Sequence, residues 1–293
     1  HTQRRRQRQM CIRDSAWTEY DSDYLHKSLA DSKFDSVNIY DCTSQWGVFS
    51  IAGPNSRSFL KKIVVSEDPD KTLSNKEFPW LSYRDIEIGM CPVRALRVAY
   101  TGELGWELHH PIEMQNYLLD ILLSSGKEFN LKLVGARAQN WLRQEKSYKA
   151  FGSDLGRDAG PFESTLSRFV DINKNFLGKD ALLKRKTEVS CVTLLIDGPK
   201  DIDPWGREAL YNETEDVMLG RLTSAGYSVH FKRSIGIGYV KSSFSEVGTK
   251  LRIKINDEFW NAEIVRDSPY DPQNERIIDL SLIHISEPTR RYR

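Results

Sequence analysis

The sequence predicts an α+β chain that ends in a small antiparallel β domain, a barrel or a sandwich. Three observations carry this. Residues 48–64 run strand, Gly-Pro-Asn turn, helix. Residues 93–109 read as a glycine-turned hairpin, and helical stripes follow it. Residues 189–265 hold six short strand candidates separated by turn residues. A length of 293 residues fits about two domains, and the change of texture places a boundary near residue 187.

The elements follow in order. A helix is expected around Tyr24–Leu29, ending before Asp35. Val48–Ala52 reads as a strand, Gly53-Pro54-Asn55 as a turn, and Ser56–Val64 as a helix with Phe59, Leu60 and Ile63 at helical spacing. Residues 66–80, with Asp68-Pro69 and Phe78-Pro79, read as loop. Asp85–Met90 and Val93–Tyr100 alternate as strands do, and Thr101–Gly105 is a tight connection to Trp106–His109. Glu113–Ser124 carries a stripe of Tyr117, Leu118, Ile121 and Leu122, closed by Gly126. Ala136–Ala150 is a second amphipathic helix, with Trp141, Leu142 and Tyr148 spaced for burial. After a Gly/Asp-rich loop at 153–164, a strand is expected at Thr165–Val170 and a helix at Gly178–Lys186. The six strand candidates are Val189–Ile196, Arg207–Tyr211, Val217–Leu222, Gly236–Tyr239, Lys250–Ile255 and Glu258–Val265.

Composition excludes several classes. With 39% hydrophobic and 28% charged residues the chain is neither disordered nor collagenous. No apolar run reaches the ~20 residues of a membrane helix, so no membrane partner is expected. A formal net charge of +1 gives no support for nucleic-acid binding. Cys11, Cys42, Cys91 and Cys191 lie far apart, which fits a reducing compartment and argues against a zinc site or disulfide framework.

The two ends are set aside. Residues 1–15 hold five Arg, a pattern otherwise read as a nucleic-acid arm. However, Met10-Cys11-Ile12-Arg13-Asp14 can be encoded by ATG TGT ATA AGA GAC, and Leu280-Ser281-Leu282-Ile283-His284 by CTG TCT CTT ATA CAC. Extended by their next bases, these strings are reverse complements, resembling the ends of a sequencing-library adapter. Residues 1–15 and 279–293 are therefore read as translated adapter. Without them 34 basic and 38 acidic residues remain, and the chain is expected to be an internal fragment, 16–186 and 187–278 being its two domains.

Generic catalytic signatures are missing: no GxSxG, HExxH, P-loop or GxGxxG occurs. Cys42 has no nearby His and reads as a small apolar filler. His109 and His110, adjacent on a strand, point to opposite faces and do not easily share a metal, so no metal site is expected. The segment Val98–Leu108 is the most informative. Its reversal is expected to bring Tyr100, Trp106 and Glu107 together. Two rings and a carboxylate suit a planar heterocycle with N–H donors. A structural hairpin with a partly buried aromatic and a solvated Glu is the competing reading. Arg137, at the start of a helix where the dipole does not favour a cation, invites a carboxylate partner. Arg143 follows six residues later, and both also read as ordinary surface arginines.

AGPN (52–55), YTGELGWEL (100–108), GAR…LRQE (135–145) and FLGKDAL (176–182) together resemble the glycine-cleavage T-protein (aminomethyltransferase) family over almost all of residues 16–278. The fold this implies is α+β, a folate-binding aminomethyltransferase-like domain followed by a small antiparallel β-barrel. Within the family, GELGWEL, QEKSYKAFGSDL (144–155), DIDPWGRE (201–208), TSAGYS (223–228) and SEVGTKL (245–251) are similar to the folate-binding half of dimethylglycine and sarcosine dehydrogenases. That resemblance implies tetrahydrofolate as cofactor and a small N-methyl amine as substrate of the intact enzyme. FAD would sit in a missing N-terminal half that oxidises the amine, and the one-carbon unit would pass to tetrahydrofolate. It implies a pterin site at Tyr100 and Glu107 and a folate contact at Arg137, with Trp106 and Arg143 as further candidates. The family's catalytic aspartate would lie upstream of residue 16, so the fragment alone is expected to be inactive.

This sequence departs from the family pattern at Ala138, where Asp is usual, at Gln144, and near Pro272–Arg276, where the family's ligand-contacting tyrosine has no match. A free-standing aminomethyltransferase and a non-catalytic regulatory homologue stay open. The expected location is the cytoplasm, or the mitochondrial matrix in a eukaryote.

Overall fold

The computed structural model describes residues 18–32 and 36–278. The two segments read as adapter lie outside the described residues. The chain packs into two compact units, one running to Leu133 and resuming at Gln273, the other Val134–Pro272.

In the first unit, α1 (Thr18–Ala30) buries no side chain. β1 (Trp46–Ala52), β2 (Tyr83–Ile88), β3 (Cys91–Leu96) and β4 (Gly105–Pro111) form an antiparallel sheet in the order β1-β4-β3-β2. The turn after β1 is as expected. Gly53 takes φ +132°, a conformation open to glycine, and its N–H donates to the Leu104 carbonyl at 2.8 Å. The Ser56 hydroxyl donates to the carbonyls of Gly53 and Leu104, fastening the start of α2 (Ser56–Ile63) to the sheet. Within residues 66–80 the loop contains one short helix, α3 (Pro69–Thr72). Asp68 caps it by accepting from the Lys71 N–H, and Pro69 opens its first turn. α4 (Gln115–Gly126) starts after a 3₁₀ turn at Ile112–Met114. Phe59, Leu60, Ile88, Val93, Trp106, Leu108 and Leu118 fill the core on one face of the sheet.

β3 stops at Leu96 rather than running to Tyr100. Arg97 turns inward instead, donating to the carbonyls of Phe78 and Ile278, each at 2.7 Å. The connection to β4 is thus an eight-residue loop, 97–104, not a tight turn.

In the second unit, α5 (Ala136–Glu145) ends well before Ala150. Ser147 takes φ +53°, and the Tyr148 N–H returns to the Arg143 carbonyl. The expected apolar face is only half-buried. The buried stretch is polar, Arg143 to Ser147, and it is tolerated because its groups are partnered. Arg143 meets Asp154 and Ser224, Glu145 meets Ser228, and Lys146 meets the Asp271 carbonyl. No strand forms at 165–170; a 3₁₀ turn covers Ser167–Phe169. α6 is Lys179–Lys184.

β5 (Val189–Ile196), β6 (Ala209–Asn212), β7 (Met218–Ser228), β8 (Arg233–Lys241), β9 (Lys250–Ile255) and β10 (Glu258–Val265) close into an antiparallel barrel in the order β10-β5-β8-β7-β6-β9. The architecture is therefore a barrel, not a sandwich, and closure leaves no open sheet edge. Leu194, Ile196, Leu222, Val240, Ile253 and Ile264 fill its interior. A short α7 (Glu275–Ile278) belongs to the first unit. The change of texture near 187 marks the start of the barrel strands. The change of packing falls earlier, before Val134, because α5 and the loops after it pack with the barrel.

Candidate functional site

Strand alternation sorts the hairpin residues. On β4, Trp106, Leu108 and His110 are buried, while Glu107, His109 and Pro111 face the other side. Trp106 and Glu107 thus point to opposite faces, and the expectation that Trp106 and Glu107 line one site is not met. Trp106 is fully buried. Its ring meets Phe78 edge-on at 6.3 Å, and the guanidinium groups of Arg57 and Arg97 lie 5.5 and 5.9 Å from its centre.

Glu107 sits opposite Ser50 on β1 and Leu96 on β3. Its side chain is 26% exposed, and its Oε2 lies 3.4 Å from His109 Nε2. A central strand thus presents a half-buried carboxylate with imidazole support. Tyr100, partly buried, belongs to the 97–104 loop that leads into this strand. In the same loop the buried Thr101 hydroxyl has no hydrogen-bond partner. The outer face also carries a groove of about 510 Å³ lined by Trp46, Asp85, Pro92, Arg94 and Pro111.

His110 takes no part on that face. Its Nδ1 lies 2.9 Å from the Leu108 carbonyl, its Nε2 meets the Gln115 amide, and its ring stacks on Phe49. Among the described residues no group of three His, Cys, Asp or Glu is placed to hold a metal ion. Cys91 and Cys191 are buried and Cys42 is half-buried.

In the second unit, Arg137 is exposed at the first turn of α5, and its expected carboxylate partner is Asp203. Its guanidinium lies 5.1 Å from the ring centre of Trp141 and 5.9 Å from that of Trp205. Arg143 is different. Its guanidinium is buried and donates to Asn140, the Tyr148 carbonyl, Asp154 and Ser224. Those bonds make it an internal strut rather than a surface contact for a ligand. His109, Asp203 and Trp205 were not marked as site residues by the sequence. For His109, the i, i+2 spacing from Glu107 on a strand was the available signal. For Asp203, 66 residues from Arg137, none existed.

A sheet-and-helix unit bearing an outward carboxylate, joined in one chain to a closed six-strand barrel, defines a two-part α+β protein. The chain belongs to the glycine-cleavage T-protein (aminomethyltransferase) family. Residues 2–174 match the model of the GCVT N-terminal domain, and residues 190–271 that of the glycine cleavage T-protein C-terminal barrel domain. The first match includes most of the N-terminal segment set aside above.

Among curated proteins, the chain is 36% identical over 238 residues to the mitochondrial dimethylglycine dehydrogenase of Mus musculus, covering 79% of this chain and 26% of that protein. It is 28% identical over 262 residues to an aminomethyltransferase of Caldanaerobacter subterraneus, covering 89% of this chain and 67% of that protein. The chain thus spans about a quarter of the length of the dehydrogenase relative. Among solved structures, aminomethyltransferase T of Bartonella henselae matches with a TM-score of 0.65 at 21% identity, over 78% of this chain and 60% of that one. That likeness concerns the fold.

Proposed function

We propose that this chain is the tetrahydrofolate-binding part of a dimethylglycine/sarcosine dehydrogenase-like enzyme, which passes a one-carbon unit from an oxidised N-methyl amine to tetrahydrofolate. The observation that carries the reading is Glu107, a half-buried carboxylate held outward on the central strand β4 beside His109. A carboxylate in that setting accepts hydrogen bonds from the N–H edge of a pterin, and such charge-assisted bonds gain strength out of water. The unpartnered Thr101 hydroxyl in the adjoining loop, which also carries Tyr100, fits a polar ligand there. Tetrahydrofolate, when bound, supplies the amine nitrogens that accept the carbon unit. Within the first unit, Tyr100 would border the ring and the Glu107 carboxylate would fix its orientation; Arg137, in the second unit, is by itself a candidate to hold an anionic group. Trp106 and Arg143 support these positions from within their own units. Orientation of this kind is a large part of the rate such a site can provide.

FAD is assigned only to the remainder of a longer protein. The chain contains no GxGxxG motif, and no step is derived through FAD. No helix among the described residues is long and apolar enough to cross a membrane. The mitochondrial dehydrogenase relative favours a mitochondrial matrix location if the source is eukaryotic.

Calorimetry with tetrahydrofolate tests the reading. Glu107→Ala is expected to weaken binding by about ten- to a hundredfold, the worth of a hydrogen bond to a charged group. Equal heats for both proteins would remove Glu107 from the site, and no heat from the unmodified chain would remove the folate reading. A free-standing aminomethyltransferase is the second reading, favoured by the 67% coverage of the bacterial relative. Upstream sequence separates the two, because a GxGxxG-bearing flavin domain belongs only to the dehydrogenase.

A further inference from the structure

The Arg137 cluster, whole within the second unit, has a feature that anion binding alone leaves unexplained. The guanidinium lies between two indoles, Trp141 and Trp205, and its charge is already taken by Asp203. Trp141 is anchored. It packs so closely on Gly226 that a Cβ there would come within 2.0 Å of its ring. Trp205 is not covered: it is 81% exposed, an unusual position for an indole. Its backbone is nevertheless fixed, because the Glu208 carboxylate accepts the N–H groups of Trp205, Gly206 and Arg207 at 2.7–2.8 Å. Asp203, on the same loop, takes a left-handed conformation with φ +36° and ψ 65°, which costs a non-glycine residue energy. The pair it makes is solvent-exposed, 61% for Arg137 and 36% for Asp203, and so is weakly held.

We propose that Asp203 is an internal competitor that holds the Arg137 guanidinium between Trp141 and Trp205 until a ligand carboxylate replaces it, with Trp205 giving a stacking face to the ligand's planar ring. The ligand class this fits is an aromatic ring bearing a nearby carboxylate. Arg pairs with a carboxylate in two-point fashion, and the indole face suits a flat ring. The exchange trades one anion for another, so the guanidinium stays neutralised. Lys200, whose ammonium lies 5.3 Å from the ring centre of Tyr227, the residue after Gly226, adds positive charge on the same loop. The inference rests on the folate reading for the source of the ligand, the aminobenzoyl-glutamate end of folate, but not for its chemistry.

The test is calorimetry with two probes, N-(4-aminobenzoyl)-L-glutamate and 6-methyltetrahydropterin. Asp203→Asn keeps the side chain's shape and removes its charge. It is expected to tighten the aryl-glutamate by about two- to fivefold, the scale of an exposed ion pair. Trp205→Leu is expected to weaken the same probe, and neither change should move the pterin, which has no carboxylate. Equal or weaker aryl-glutamate binding by Asp203→Asn overturns the proposal, as does an equal gain for the pterin or no aryl-glutamate binding by either protein. If the aryl-glutamate responds as expected while the pterin binds neither the unmodified chain nor the variants, the Asp203 exchange stands and the folate reading falls.

Discussion

Arg143 and Asp154 form an ion pair whose side chains are 2% and 0% exposed. The carboxylate is satisfied all round. It also accepts from the hydroxyls of Thr223 and Ser224 and from the Ala150 N–H, so one buried anion ties α5, the loop after it and β7 together. Arg143→Met would leave that anion without its cation. The expected loss is about 3–5 kcal/mol in urea unfolding, the usual cost of an orphaned buried charge. A loss below about 1 kcal/mol would show that the pair carries little of the fold.

Trp106 gives a second prediction. Its full burial against Phe78, Arg57 and Arg97 makes it a core residue. Trp106→Ala should cost about 3–5 kcal/mol of stability, read as a lowered thermal midpoint. A variant of unchanged stability with lost folate binding would return Trp106 to the ligand.

Gly226→Ala tests the anchoring of Trp141. The added methyl would meet the indole at 2.0 Å, so ring or strand must shift. A destabilisation of about 1–3 kcal/mol is expected, with a change in tryptophan fluorescence. An unaltered spectrum and midpoint would mean that the indole is not seated on β7.

Alkaline pH should loosen the barrel in a defined order. Cys191 on β5 and Tyr239 on β8 face each other in register. Burial pushes the thiol from 9.0 up to about 12 and the phenol from 10.0 up to about 12. Each is therefore held neutral in the folded state, while the unfolded chain gives up its proton first. Deprotonation then favours unfolding: the contribution is whole below pH 9 and declines from there towards 12. Urea midpoints should fall from about pH 9, and in Cys191→Ala the fall should begin nearer 10. An identical onset in both proteins would refute the assignment.

The sequence by itself determined the elements whose signals are local. β5, β9 and β10 have the expected bounds, because each is a short apolar or alternating run between turn residues. Gly53-Pro54-Asn55 marked the turn into α2 because only glycine readily takes the φ it requires. The hairpin motif carried the family resemblance, and alternation already set Trp106 and Glu107 on opposite faces, although both were expected in one site.

Tertiary structure decided what depends on distant partners. The end of α5 and the burial of Arg143–Ser147 follow from Asp154 and Ser224, which are 11 and 81 residues from Arg143, and from Asp271, 125 residues from Lys146. Read locally, that polar run has the composition of a solvated surface. Beyond β3 the Val98 N–H turns back to the Leu96 carbonyl, and the Arg97 guanidinium is held by the carbonyls of Phe78 and Ile278, 19 and 181 residues away. Arg137 invited a carboxylate from its place on the helix, but the identity of that carboxylate, Asp203, came only from the folded loop before β6. Charges and hydrogen-bonding groups are indifferent to sequence separation, so their pairings appear only once the chain has closed on itself.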